Sequence, residues 1–264
     1  MKLPFIACLF AATFSAGELP PEFSQHSDEE LKWRGLATLY PGKVLTEPPA
    51  SFAPHSPREP LEVKLPYEVT YLRIYDLPLA MEAIEAVAGQ NKLVLDLRYL
   101  HSEQPEALAK LLRQMRGDFP AMILVNHRTS GELEIALADL QAAEKVLTIG
   151  THTAGQTGTY RPVPELDGFF VLEDESLTAE GESLLGTGLT PRISVTVAPK
   201  DDFRAYELVE RGTSVEAVLG MDLSDDSANS SEAEDTEEVP ADAILQRALD
   251  VIVALQVLGK LPPS

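Results

Sequence analysis

The chain has 264 residues, of which 44% are hydrophobic, and a formal net charge of -21. This length suits one large domain or two small ones with a buried core. The acidic excess excludes a phosphate-binding face, which needs clustered Lys and Arg, and disfavours anionic membranes, so nucleic acid is not an expected partner.

Residues 1 to 17, MKLPFIACLFAATFSAG, place one lysine before an apolar run and end in small residues, which is typical of a secretory signal peptide. The run is too short to span a bilayer, so stable membrane insertion is not expected. We expect export to the periplasm or the medium, with cleavage after Ala16 or Gly17. Cys8 is the only cysteine of the sequence, so the mature chain should have no disulfide or thiol chemistry.

The N-terminal part of the expected mature chain is short. Ser27, with Glu30 three residues later, predicts a capping box at the start of a helix that carries Trp33 and packs on the core. Residues 46 to 66 are dense in proline and predict an extended connector.

The middle of the chain predicts an α/β layer structure with right-handed crossovers, because short apolar runs alternate with helical patterns. The helical patterns place apolar residues on one face. The predicted strands are 68 to 77, 92 to 100, 121 to 127 and 145 to 150, with two more at 168 to 174 and 192 to 198. The apolar helix faces are Leu108, Leu111, Leu112 and Met115, and then Leu133, Leu137 and Leu140.

The C-terminal part contains an acidic run and a last helix. Residues 222 to 238 hold eight acids and no base, which predicts a disordered linker and lacks the glycine-containing loop of a calcium-binding hand. The last helix should dock through Leu245, Leu249, Ile252 and Leu255. We therefore divide the chain into a signal peptide (1–17), a short helix and connector (18–67), a core (68–218), an acidic linker (219–239) and a C-terminal helix (240–260).

Three motifs in the core resemble those of the carboxy-terminal-processing, or tail-specific, serine peptidases, whose core is crotonase-like. The family pattern NxGSASASEI matches this chain at Asn126, Glu134 and Ile135, and GxxTxGK matches it at Gly150, Thr153 and Gly155, in one ungapped register. Residues 178 to 193 match a third pattern at Thr178, Gly181, Gly186, Gly188, Pro191 and Ile193. LVLDLR, residues 93 to 98, resembles the family's LDLR strand. The resemblance implies the peptidase fold over residues 68 to 200.

The same register places Gly131 at the family's nucleophilic serine and Gln156 at its lysine base. Glycine has no side chain and an amide cannot take a proton at useful pH, so the serine–lysine dyad is missing. The family's LDLRxNPGG, whose glycines help to form the oxyanion hole, reads LDLRYLHSE here. We therefore expect no catalytic residues, and at most a trace of hydrolysis after Gly131→Ser with Gln156→Lys.

The leading hypothesis is an exported, catalytically inactive peptidase-like protein that keeps a cleft for a peptide, a protein C-terminus or another ligand. The family's PDZ-like domain is not expected, because only about fifty residues lie between the expected signal peptide and residue 67, fewer than an ordinary module needs. No cofactor or metal site is expected.

Two alternatives stay open. The first is an active serine hydrolase that uses Ser130 as nucleophile with His127 or His152 as base. The second is a carrier of an apolar ligand, which would resemble the interphotoreceptor retinoid-binding proteins of the same superfamily.

Overall fold

We describe the protein from a computed structural model that defines residues 27–49, 57–114, 120–164, 166–220 and 241–261. The expected signal peptide (1–17), Met115 and the acidic run (222–238) lie outside the described residues.

The described residues form helices and strands that alternate through the middle of the chain. The helices are α1 (Asp28–Leu39), α2 (Leu77–Val87), α3 (Glu106–Gln114), α4 (Glu132–Ala142), α5 (Pro199–Glu210), α6 (Val215–Val218) and α7 (Ala243–Val257). The strands are β1 (Val44–Leu45), β2 (Leu61–Leu65), β3 (Val69–Arg73), β4 (Leu93–Asp96), β5 (Ala121–Val125), β6 (Val146–Gly150), β7 (Gly158–Pro162), β8 (Phe170–Glu175) and β9 (Ile193–Ser194).

The main sheet has six strands in the order β2-β3-β4-β5-β6-β9. Strands β3, β4, β5, β6 and β9 run parallel to one another, and β2 pairs antiparallel with β3 at the edge. Helices α2, α3 and α4 connect the successive parallel strands from β3 to β6, as parallel pairing requires. A smaller antiparallel sheet has the order β1-β8-β7.

Helices cover both faces of the main sheet. Alternate strand residues point to opposite sides, so each face presents apolar side chains that the helices bury. Leu72, Leu95 and Ile123 lie in one apolar cluster with the buried residues of α2, α3 and α4. Tyr71 and Val94 lie in the other cluster, with the buried residues of α6 and α7. Strands buried on two faces are apolar almost throughout, which explains the continuous runs in the sequence.

The structure confirms the predicted α/β fold class, with the parallel core strands and the intervening helices. It also contains β2 within the predicted connector, where Leu61, Val63 and Leu65 alternate with charged residues and pair with β3. No helix among the described residues has the length and apolar character needed to cross a bilayer.

The N-terminal helix forms where it was predicted, and the Ser27 side chain accepts a hydrogen bond from the Glu30 N–H (3.2 Å). The expectation that this helix packs on the core was wrong, because none of its residues is buried. Trp33 is half-buried. The helix therefore lies at the periphery, next to the short strand β1.

The docking of α7 can be tested by removing one buried side chain. Leu245 is 0% exposed in the second apolar cluster, so Leu245→Ala should lower the free energy of unfolding by about 2–5 kcal/mol. Val257, on the same helix, is 82% exposed, so Val257→Ala should change it by less than about 0.5 kcal/mol. Denaturant titration of both variants measures this, and equal effects would show that α7 does not dock through this face.

Candidate functional site

Two polar segments meet at the carboxyl-terminal edge of the main sheet. Residues 97–103 follow β4, and residues 126–131, which we call the Asn126 turn, follow β5. An isolated parallel bridge pairs His101 with Ser130 and so joins the two segments. Open α/β sheets bind ligands outside the carboxyl ends of their strands, so this edge is the first candidate for a site.

The guanidinium group of Arg98 holds this edge to two helices. Its Nη2 donates to Asp96 Oδ2 (2.7 Å) and to Asp242 Oδ2 (2.8 Å), and its Nη1 donates to Asp202 Oδ1 (3.0 Å). All four side chains are buried. Asp202 belongs to α5 and Asp242 caps α7, so one cation connects β4 to both helices. We call these four residues the Arg98 cluster.

Burial alone would raise the pKa of Asp96, but Arg98 and then Arg73 outweigh it and lower that pKa from 3.8 to about 2. Arg73 Nε lies 3.4 Å from Asp96 Oδ2, and Tyr71 donates to the same oxygen (2.6 Å). Asp96 is therefore ionised at neutral pH and shared between two arginines.

Asn126 fixes the turn that carries its name. Its Oδ1 accepts hydrogen bonds from the backbone N–H groups of Tyr99 (3.2 Å) and Arg128 (3.0 Å), and its Nδ2 donates to Asp202 (2.7 Å). The matching asparagine of the family pattern thus has a structural use here, since it links both segments to the Arg98 cluster.

Tyr99 occupies the segment where the family has its oxyanion glycines. Its φ of 62° lies in the left-handed region, and its hydroxyl donates to Asp202 Oδ2 (2.8 Å). The ring lies 4.4 Å from that of Tyr206, centroid to centroid. Burial, and then the charge of Asp202, raise the pKa of Tyr99, so the phenol stays protonated.

Gly131 precedes α4 as its N-cap, with φ 83°. A Cβ at this position would lie 2.6 Å from the backbone oxygen of Ser102 and 2.9 Å from His101 Cε1. The expected trace of hydrolysis after Gly131→Ser with Gln156→Lys therefore needs correction, because residues 101–102 fill the place that an introduced serine would take.

Ser130, one residue earlier, contacts His101, a histidine outside the predicted pairs. Its Oγ lies 3.0 Å from His101 Nδ1, and the residue is 1% exposed. The other ring nitrogen, Nε2, lies 2.8 Å from Glu103 Oε1 but has no aligned hydrogen-bond partner among the described residues. The carboxylate is thus close to the ring but off the direction of its N–H.

The two histidines considered as bases for Ser130 lie elsewhere. The His127 ring packs edge-on against Tyr99, with 6.2 Å between the ring centroids, and its pKa is lowered by burial and then by Arg128. His152 Nδ1 lies 3.3 Å from Thr190 Oγ1. Among the described residues, the side-chain partner of Ser130 Oγ is His101 and neither of these two.

Glu134, on α4, fixes residues 150–156, which we call the Gln156 turn. Its buried carboxylate accepts hydrogen bonds from the backbone N–H groups of Gly155 (2.8 Å) and Gln156 (3.0 Å) and from the hydroxyl of Thr153. Burial raises the pKa of Glu134, and these hydrogen bonds oppose that effect. The matched glutamate thus positions the Gln156 turn through the backbone.

The third motif packs against the Gln156 turn at glycine positions. A Cβ on Gly155 would lie 2.8 Å from the Gly188 nitrogen, and a Cβ on Gly188 would lie 2.2 Å from the Thr153 oxygen. The Leu189 N–H also donates to Thr153 Oγ1 (2.7 Å). The spacing of both motifs is therefore a packing requirement that does not depend on catalysis.

A cleft of about 620 Å³ lies between α4 and residues 178–192, and it includes His152. Charged side chains at its wall are Asp139, Glu144, Glu180, Glu182 and Arg192. Apolar groups share the lining, among them Ala138, Ala142, Leu184 and Leu189.

Across the described part of the chain, no three His, Cys, Asp or Glu side chains are grouped to hold a metal ion.

The turn and the glycine positions could be predicted from the sequence, but the roles of His101 and Glu103 could not. His101 and Ser130 are 29 residues apart, and their contact depends on how the segments after β4 and β5 pair, so a single sequence carries no local signal for it.

No family model and no curated protein matches the chain. Similar solved structures include the photosystem II D1 C-terminal processing protease, at 19% identity and TM-score 0.38, over 48% of this chain and 42% of the protease. A Parabacteroides merdae protein described as a peptidase has 13% identity and TM-score 0.46, over 78% and 87%. A lipoprotein from Streptococcus agalactiae has 15% identity and TM-score 0.39, over 56% and 69%.

This chain spans less than half the length of the D1 processing protease. By its name, that protease is a C-terminal processing enzyme.

The Arg98 cluster makes the stability of the protein depend on pH. Since the pKa of Asp96 is lower in the folded chain (about 2) than its ordinary value of 3.8, its carboxylate stabilises the fold above about pH 4, and this is lost as pH falls through 2. Asp96→Asn should therefore lower the free energy of unfolding at pH 7 by about 3–5 kcal/mol, with a smaller difference near pH 2.

Denaturant titration of both proteins between pH 7 and pH 2 measures this difference. Asp250→Asn is the control, because Asp250 is exposed on α7 and its loss should change the free energy by less than about 0.5 kcal/mol. A constant gap between Asp96→Asn and the parent over the whole pH range would contradict the assignment of the charge effect to Asp96.

Proposed function

We propose that the protein is an exported peptidase-like scaffold that has lost serine–lysine peptide hydrolysis and serves as a binding protein. The observation that carries the proposal is the closure at Gly131, where Ser102 and His101 occupy the space of a nucleophilic side chain. The glutamine that stands where the family has its lysine supports it, because an amide cannot act as base.

Retention of the scaffold contacts supports a binding role. Asn126, Glu134, Gly155 and Gly188 all make the contacts that their backbone positions require, although no dyad is left for them to orient. Fold and chemistry are separable, and a scaffold can be kept for recognition alone.

The cleft beside α4 is the place where we propose that a peptide binds. Arg192 is suited to a terminal carboxylate, and the surrounding acids Asp139, Glu144, Glu180 and Glu182 are suited to basic side chains. A peptide with Lys or Arg near its C-terminus fits both features. The mixed polar lining does not favour the apolar-carrier alternative, which requires a mainly apolar cavity.

The loss of hydrolysis is tested by restoring the dyad. The double variant Gly131→Ser with Gln156→Lys should cleave no peptide, because the new side chain collides with Ser102. Gly131→Ser alone should also be less stable than Gly181→Ser by about 1–3 kcal/mol, since both glycines have φ near 80° but Gly181 has open space around it. Cleavage of unstructured peptides by the parent protein would refute the proposal.

The binding role is tested with a fluorescent peptide that ends in Lys or Arg and a free carboxylate. Fluorescence polarisation should show saturable binding, weakened at least about tenfold by amidation of the C-terminus or by Arg192→Gln, since a charge-assisted pair is lost. Arg34→Gln, on the peripheral helix α1, is the matched control and should bind like the parent. Equal affinity for free and amidated peptides would remove the carboxylate from the proposal.

A further inference from the structure

We propose that Ser130 is a nucleophile activated by His101 and that it reacts with small acyl esters. This chemistry goes beyond the binding role, because it uses a different serine from the family position and a substrate class other than peptides. The Oγ of Ser130 and Nδ1 of His101 are 3.0 Å apart, which is hydrogen-bonding distance for a nucleophile and its base.

The residues that follow Ser130 offer backbone N–H groups that can stabilise the oxyanion of acyl transfer. The next residue, Gly131, begins the approach to α4, and its N–H, with that of Glu132, has no backbone or side-chain acceptor among the described residues. In nucleophile turns, the N–H of the residue after the nucleophile stabilises the oxyanion. The helix dipole of α4 adds positive potential at the same point.

His101 is held in place by backbone contacts on both sides. The Ser130 N–H donates to the Leu100 oxygen (3.0 Å), and the Ser102 N–H donates to the Ser130 oxygen (3.2 Å). Glu103 is close to the far side of the ring but off the N–H direction, so we assign the chemistry to the serine–histidine pair alone.

Burial sets the size of the substrate. Ser130 is 1% exposed, whereas the side chain of His101 is 21% exposed, so an ester must approach past the imidazole. Ser102 fills the space beside Gly131, so we restrict the proposal to esters of the smallest acyl groups, such as acetyl.

The reaction balances with the ester and water as its only co-reactants. The bond between Ser130 Oγ and the carbonyl carbon forms as His101 Nδ1 takes the hydroxyl proton. The bond from that carbon to the leaving oxygen then breaks, and the proton passes from Nδ1 to the alkoxide. Water attacks the acyl-enzyme by the same route, which releases the acid and restores Ser130.

The test uses the full chain with a small fluorophosphonate and with p-nitrophenyl acetate. With the fluorophosphonate, the Oγ–P bond forms and fluoride leaves. Mass spectrometry of the parent protein should place the adduct on Ser130, a result that does not depend on whether any variant folds. Ser130→Ala should abolish labelling, and His101→Gln should slow ester hydrolysis at least about a hundredfold, the usual share of a general base.

Ser183→Ala is the matched control, because Ser183 is an exposed serine that donates to Glu175 and has no histidine partner. It should label and hydrolyse like the parent. No adduct on Ser130 in the folded parent, or undiminished labelling of Ser130→Ala, would overturn the proposal. Peptide cleavage assays are independent of this result, so failure here leaves the scaffold proposal standing.

Discussion

The fold depends on one buried cation, Arg98, which three aspartates from different parts of the chain surround. Asp96 ends β4, Asp202 lies on α5 and Asp242 caps α7. A buried ion pair adds little net stability compared with apolar side chains of similar size, but removal of one partner leaves an uncompensated charge. The cluster therefore selects one arrangement of α5 and α7 on the sheet, and apolar packing supplies most of the free energy.

Asp202 transmits this constraint to the candidate site. The same carboxylate accepts hydrogen bonds from Arg98, from Tyr99 and from Asn126, so the segments after β4 and β5 share one acceptor. The position of Ser130 follows, because the Asn126 turn cannot shift without breaking a buried hydrogen bond to a charged group. Such bonds contribute more than neutral ones, about 1.5–3 kcal/mol each.

The part of the fold that could be predicted from sequence is the part with local periodicity. The apolar strand runs and the one-sided faces of α3, α4 and α7 each carry their signal within a dozen residues. β2 was not predicted, because its short alternation of apolar and charged residues lies within the proline-rich stretch 46–66, whose composition predicts a connector. The contacts of Arg98 with Asp202 and Asp242 and the pair formed by His101 and Ser130 could not be predicted, since they join residues 29 to 144 positions apart and depend on tertiary geometry.

The family resemblance identified the right turns for a reason that is independent of catalysis. Glu134 and Gly155 are fixed by backbone hydrogen bonds and by close packing, so the fold requires these residues whatever chemistry the chain carries. Gly131 and the segment 101–102 also depend on each other through close packing. Glycine allows the Ser102 backbone to approach, and that approach excludes any side chain at residue 131. A side chain at residue 131 would therefore require the segment after β4 to move, so a serine at this position means a change in backbone packing as well as a substitution.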